Sequence, residues 1–201
     1  MKRLRGMRRR RLLLVGGLTV LLAVLTAIVL MVQRGNGASP RSSQRPHPIL
    51  PRRAEDAYGM IRAWGEGWAG DAEVVSMSLS MRKGTEQSAP WSFLVYSHQK
   101  KRVAVVAVAG SELMILRERH TAYPQTGIDP DLWVLDSEGV LDRWWQHGGN
   151  AAWTTPTARS LHLRLGMDEG TLFWRLSVLD VEGEMIGFWR IRADSGEVLP
   201  E

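Results

Sequence analysis

Val75-Ser76-Met77-Ser78-Leu79-Ser80-Met81 is the stretch from which the fold is read. Apolar side chains at 75, 77, 79 and 81 alternate with serine at 76, 78 and 80. A period of two puts one set on a buried face and the other on a polar face, the pattern of a half-buried strand. Upstream, Ala57, Met60, Ile61, Trp64 and Trp68 recur at helical spacing and form one apolar stripe. Downstream, residues 91–96 and 103–109 read as strands joined by a turn at His98-Gln99-Lys100-Lys101, and 111–116 read as one more. A helix followed by antiparallel strands belongs to the α+β class.

The same order recurs later in the chain. Asp56-Ala57-Tyr58-Gly59-Met60-Ile61 leading to Trp64 is echoed by Asp136-Ser137-Glu138-Gly139-Val140-Leu141 leading to Trp144. A strand beginning with Trp follows in each case, at Trp91 and Trp174. The second helix is expected to stop at Gly148-Gly149, since glycine favours helix ends. Leu161, Leu163 and Leu165 then alternate with His162 and Arg164, and 172–179 and 185–192 form a hairpin around Val181-Glu182-Gly183. Two helix-plus-antiparallel-sheet units are therefore expected, at residues 54–120 and 131–201, joined through a segment holding Pro124, Gly127 and Pro130.

The charges divide the chain. Residues 1–53 hold 12 of the 26 Lys and Arg and no acid, so the remainder sets 14 basic residues against all 21 acids, a balance of −7. Seven basic residues precede residues 12–32, which carry no charge. As a helix that stretch is ~31 Å long, enough to cross a bilayer. The expected organisation is a basic cytoplasmic tail (1–11), a transmembrane helix (12–32) in contact with membrane lipid, and a Pro/Arg-rich linker (33–53). The excess of Lys and Arg before the span places the N-terminus in the cytoplasm and the C-terminal domain outside the cell membrane, single-pass. A cleaved signal peptide is the rival reading, with Asn36-Gly37-Ala38 as its best cleavage site. The acidic domain argues against nucleic acid, which needs a basic footprint.

Chemistry is sparse. There are no cysteines, which removes disulfides, thiol catalysis and Cys-ligated metals. His47, His98, His120, His147 and His162 show no metal-binding spacing, and the acidic pairs Asp129/Asp131, Asp168-Glu169 and Glu182/Glu184 fall in loops or turns without a calcium-loop pattern. No phosphate loop, dinucleotide fingerprint or nucleophile elbow is present. No catalytic residue, metal or cofactor is assigned, and the chain is read as not an enzyme. Tryptophan is in excess, nine against three Phe and three Tyr. Trp64, Trp91, Trp144 and Trp174 occupy repeat positions and read as core. Trp68, Trp145 and Trp189 are less constrained and form the candidate partner surface, because exposed Trp is a frequent interface anchor.

Trp174, the strand at 188–193 and the closing Asp194-x-Gly196-x-Val198-Leu199 together resemble the PepSY-type domain of bacterial exported and membrane proteins. The resemblance implies two degenerate copies within residues 54–201. It implies a binding or inhibitory module, and carries no shared catalytic residues. In the closing motif Asp194 is expected to accept hydrogen bonds from turn amides and Gly196 to take a positive φ. The expected function is a non-catalytic, membrane-anchored extracytoplasmic binding module with a protein partner. One alternative is an accessory subunit of a membrane complex, packing through Gly16, Gly17, Ala23 and Ala27. The other is a cell-envelope hydrolase.

Overall fold

The computed structural model describes residues 48–199. The expected basic tail, the 12–32 span and the linker as far as His47 lie outside the described residues. Among the described residues no helix is long and apolar enough to cross a membrane.

Helix α1 (Ala54–Trp68) is followed by β1 (Ala72–Arg82), β2 (Trp91–Ser97), β3 (Arg102–Ala109) and β4 (Glu112–His120). The second half runs α2 (Ser137–Trp144), a wide turn (Trp145–Gly149), α3 (Asn150–Thr154), then β5 (Ala158–Asp168), β6 (Thr171–Asp180), β7 (Met185–Arg192) and β8 (Val198–Leu199). All the strands join one antiparallel eight-stranded sheet in the order β4-β3-β2-β1-β5-β6-β7-β8. The class is α+β, a large antiparallel sheet with few helices. The first strand of each half is innermost and the last is outermost. The halves meet at a seam where β1 pairs with β5, Leu79 facing Leu163.

Alternation fixes which face is buried. Met77, Leu79, Met81, Leu161, Leu163 and Leu165 pack with Ala57, Ile61, Val140 and Trp144 of the helices in one continuous core. Within β1 the pattern departs from strict alternation at one place. The register shifts between Val74 and Ser76, so Val74 enters the core and Val75 is the extra residue of a β-bulge.

A strand tryptophan fastens each helix start to the sheet. Trp91 Nε1 donates to the Arg52 carbonyl at 3.0 Å and Trp174 Nε1 to the Leu135 carbonyl at 2.9 Å, each carbonyl lying two residues before its helix. The same step of 83 residues separates Arg53 from Asp136 and Ala54 from Ser137, which touch directly. The sequence motif aligns Asp56 with Asp136 instead, three residues out of step. Three residues is close to one helical turn, so either alignment puts the apolar residues on the same face. The two helix N-termini meet head to head, an arrangement that brings two partial positive charges together. Asp136 sits between them. Its Oδ1 accepts from the Glu55 amide at 3.1 Å and its Oδ2 from Arg53 Nε at 2.9 Å, while Ser137 Oγ accepts from the Ala54 amide at 2.9 Å.

The second helix does not stop at Gly148-Gly149 but bends there and resumes as α3. Gly148 takes φ +94°, and a Cβ on Gly149 would lie 2.2 Å from the Trp144 ring. The glycine pair lets the backbone turn across an indole face, and the chain beyond it is free to form another helical turn.

Candidate functional site

The helices cover one face of the sheet and leave the other open. Cross-strand pairing arranges the open face in rows. One row runs Ser92, Ser78, Arg164, Arg175, Arg190 across β2, β1, β5, β6 and β7. The next runs Ser80, His162, Ser177, Phe188. Serine is small, so the floor between the arginines and Phe188 is low. Two shallow open grooves of about 470 and 490 Å³ result, and they share Arg164 and Arg175. Pro124, Gln125 and Thr126, from the segment linking the halves, wall the second, together with the bulged Val75.

Three arginines directly opposite one another across three strands repel unless a counter-charge intervenes. One carboxylate does so in part. Asp168 Oδ2 accepts from Arg175 at 2.8 Å and from Arg190 at 3.0 Å. Arg190 also stacks over Phe173 at 4.4 Å, and its Nε is buried with no acceptor. Arg164 is exposed and has no ion-pair partner among the described residues. His162 Nε2 lies 3.2 Å from Ser160 Oγ and 3.5 Å from Ser80 Oγ. Burial lowers the pKa of its imidazole below the usual value, so it is neutral at pH 7.

A second surface lies at the end of the sheet. Every residue of β4 is exposed. Leu113 (37%), Met114 (53%), Ile115 (50%) and Leu116 (52%) stand in succession there. Leu113 and Ile115 pair with the core residues Val108 and Val106, yet they stay uncovered because α1 packs on β1, β2 and β3. As the end strand, β4 has one line of backbone N–H and C=O groups without a sheet neighbour.

The three tryptophans of the candidate partner surface are half-buried and packed against the core. Trp68 stacks on Trp64 at 5.5 Å, and Lys100 lies over its ring at 5.0 Å while donating to its carbonyl. Trp145 and Trp189 both pack edge-on against Trp144, at 5.9 and 5.7 Å. Trp189 Nε1 donates to the His147 carbonyl at 2.9 Å. Their indoles support the α2 bend. Exposed apolar side chains cluster instead on β4 and on the β6–β7 hairpin, where Val181, Met185 and Ile186 stand out, with Tyr123 and Val134 exposed in the segment between the halves. The sequence signal for β4 was a run of four apolar residues, which by periodicity reads as a buried strand.

In the closing turn Gly196 takes φ +72° as expected, but the main partner of Asp194 is a side chain. Arg192 grips it in two bonds of 3.0 and 2.6 Å, which holds the Asp194 carboxyl well below the usual carboxylate range. The turn itself is closed by backbone bonds, Gly196 N to Arg192 O and Arg192 N to Glu197 O.

No family model and no curated protein matches the chain. The crystal structure of a candidate lipoprotein from Clostridium difficile 630 matches with a TM-score of 0.53 at 10% identity, over 79% of this chain and 97% of that one. At that identity the likeness is one of fold.

Proposed function

We propose that this chain is a non-catalytic, membrane-anchored module of PepSY-like kind that holds a protein partner outside the cytoplasmic membrane. The observation that carries this reading is β4, a nine-residue end strand exposed on both faces with four apolar residues in succession. Proteins protect such edges with charge, bulges or short length, because a free edge pairs with other chains. Here the register shift opposite Val105/Val106 and the Arg117-Glu118-Arg119 run guard only the C-terminal part. Residues 112–116 stay open, and an extended segment of a partner would add there as a further strand, its side chains meeting the apolar row. The anchor expected at 12–32 and the resemblance through Asp194, Gly196, Val198 and Leu199 support the cellular setting. So does the fold shared with a candidate lipoprotein, a class of protein attached at the envelope.

The test is photo-crosslinking from positions 114 and 116 of the full chain in its native membrane. One discrete adduct is expected, and Met114→Lys with Leu116→Lys should abolish it while circular dichroism stays unchanged. An adduct that survives both lysines would overturn the reading. Retention of the partner by a 54–201 chain separates this function from the accessory-subunit alternative, which needs the helix at 12–32.

A further inference from the structure

We propose that the open serine-and-arginine face of the sheet is a second binding site, one that takes a glycan segment bearing a single phosphate or carboxylate group.

The anion is called for by the arginine row. Arg164, Arg175 and Arg190 stand side by side at cross-strand spacing, about 5 Å between neighbours. Asp168 offers one shared oxygen to two of them, and Arg164 has no counter-ion among the described residues. The acidic groups at this site are Asp168 and Glu169, the latter lining the second groove. Guanidinium groups bind phosphate and carboxylate through paired N–H donors, so an oxyanion between Arg164 and Arg175 would relieve their mutual repulsion.

The glycan is called for by what surrounds the arginines. Ser78, Ser80, Ser92 and Ser177 line the first groove with hydroxyls that both donate and accept, and Phe188 supplies a ring at its border. A peptide is disfavoured by backbone chemistry. β1, β5 and β6 are interior strands whose amides and carbonyls are committed to the sheet, so this face offers a peptide no main-chain partners. A long polyanion is disfavoured by the −7 balance beyond residue 53. The two grooves meet at Arg164 and Arg175, so neutral sugar units can extend to either side of one bound charge.

The experiment is calorimetry and side-chain NMR on the full chain in mild detergent. The probes are a tetrasaccharide containing one hexuronate, the same tetrasaccharide with a phosphate monoester instead, its neutral parent, and tetraglutamate. Both charged saccharides are expected to bind, with the tighter one identifying the source of the anion, and to shift the Arg164 and Arg175 guanidinium signals. Arg164→Gln removes an exposed, unpaired side chain and should weaken binding by about tenfold or more, the loss expected for a charge-assisted contact. Ser78→Asp, which sets a carboxylate opposite Arg164, should do the same without touching any arginine. Equal binding of the neutral parent, equal binding of tetraglutamate, no binding of any probe, or indifference to both substitutions would each overturn the proposal. None of these results bears on β4, which lies at the far edge of the sheet.

Discussion

Strands β4 and β8 hold the same place in the two halves, each paired to the third strand of its half and each ending the sheet. β4 has nine residues, all exposed, and β8 has two among the described residues, both half-buried. No residue of β4 is buried in the hydrophobic core. With every one of its residues exposed, β4 adds no buried side chain to the core, and its length is not explained by core burial. What stability does not require is available for recognition.

The largest effects should fall where the halves are most alike. Trp91→Ala and Trp174→Ala each remove a fully buried indole and one hydrogen bond to a carbonyl ahead of a helix, the Leu135 carbonyl keeping Trp133 Nε1 as a donor, and each should cost about 3–5 kcal/mol in urea unfolding. Because β1 and β5 share one seam, both variants should unfold in a single transition. Two separate transitions would mean that the halves are independent.

Glycine substitutions should split the halves by sign. Gly149→Ala drives a methyl into the Trp144 ring and should destabilise by about 1–3 kcal/mol. Gly59→Ala in α1 meets nothing within 4 Å and should stabilise by about 0.5–1 kcal/mol. Calorimetric melting of the two variants gives both signs at once, and a stabilising Gly149→Ala would refute the packing described for the bend.

The end strands should respond in binding rather than in stability. Met114→Lys and Leu116→Lys are expected to leave unfolding free energy within about 0.5 kcal/mol of the parent. A larger loss would show that β4 contributes to the fold after all.

The smallest effect separates the inner strands. β5 carries His162 directly opposite Ser80 of β1. Burial lowers the pKa of folded His162, while the unfolded residue titrates near ~6.5. As the pH falls below that value the unfolded chain takes up a proton that the folded chain resists, so stability declines with acid from there down through the folded pKa. Denaturation midpoints at pH 7.5 and 5.5 should differ less in His162→Gln than in the parent.

Sequence carries the elements of this fold well and their assembly poorly. The serine alternation of β1 and the leucine alternation of β5 announce half-buried strands. Both alternate alike, so nothing in either says that they pair with each other. The arginine row is hidden for the same reason. Arg164, Arg175 and Arg190 are 11 and 15 residues apart in the chain and become neighbours only through the cross-strand register. Trp145 and Trp189 looked unconstrained because the bend at Gly148-Gly149, which places Trp144 between them, depends on a tertiary contact. The run at 113–116 misleads by its composition, since burial there is decided by how far α1 reaches.

The route by which the chain enters the fold has a mechanical consequence. Residues 48–53 arrive where the two helix N-termini meet. There Trp91 holds the Arg52 carbonyl, Asp136 holds the Arg53 side chain and Ser137 holds the Ala54 amide. Tension applied from the N-terminal side is therefore divided at once between a strand of the first half and the helix start of the second. Bonds loaded together in this way yield together. Under force from that side the two halves should give way together, with neither peeled away ahead of the other.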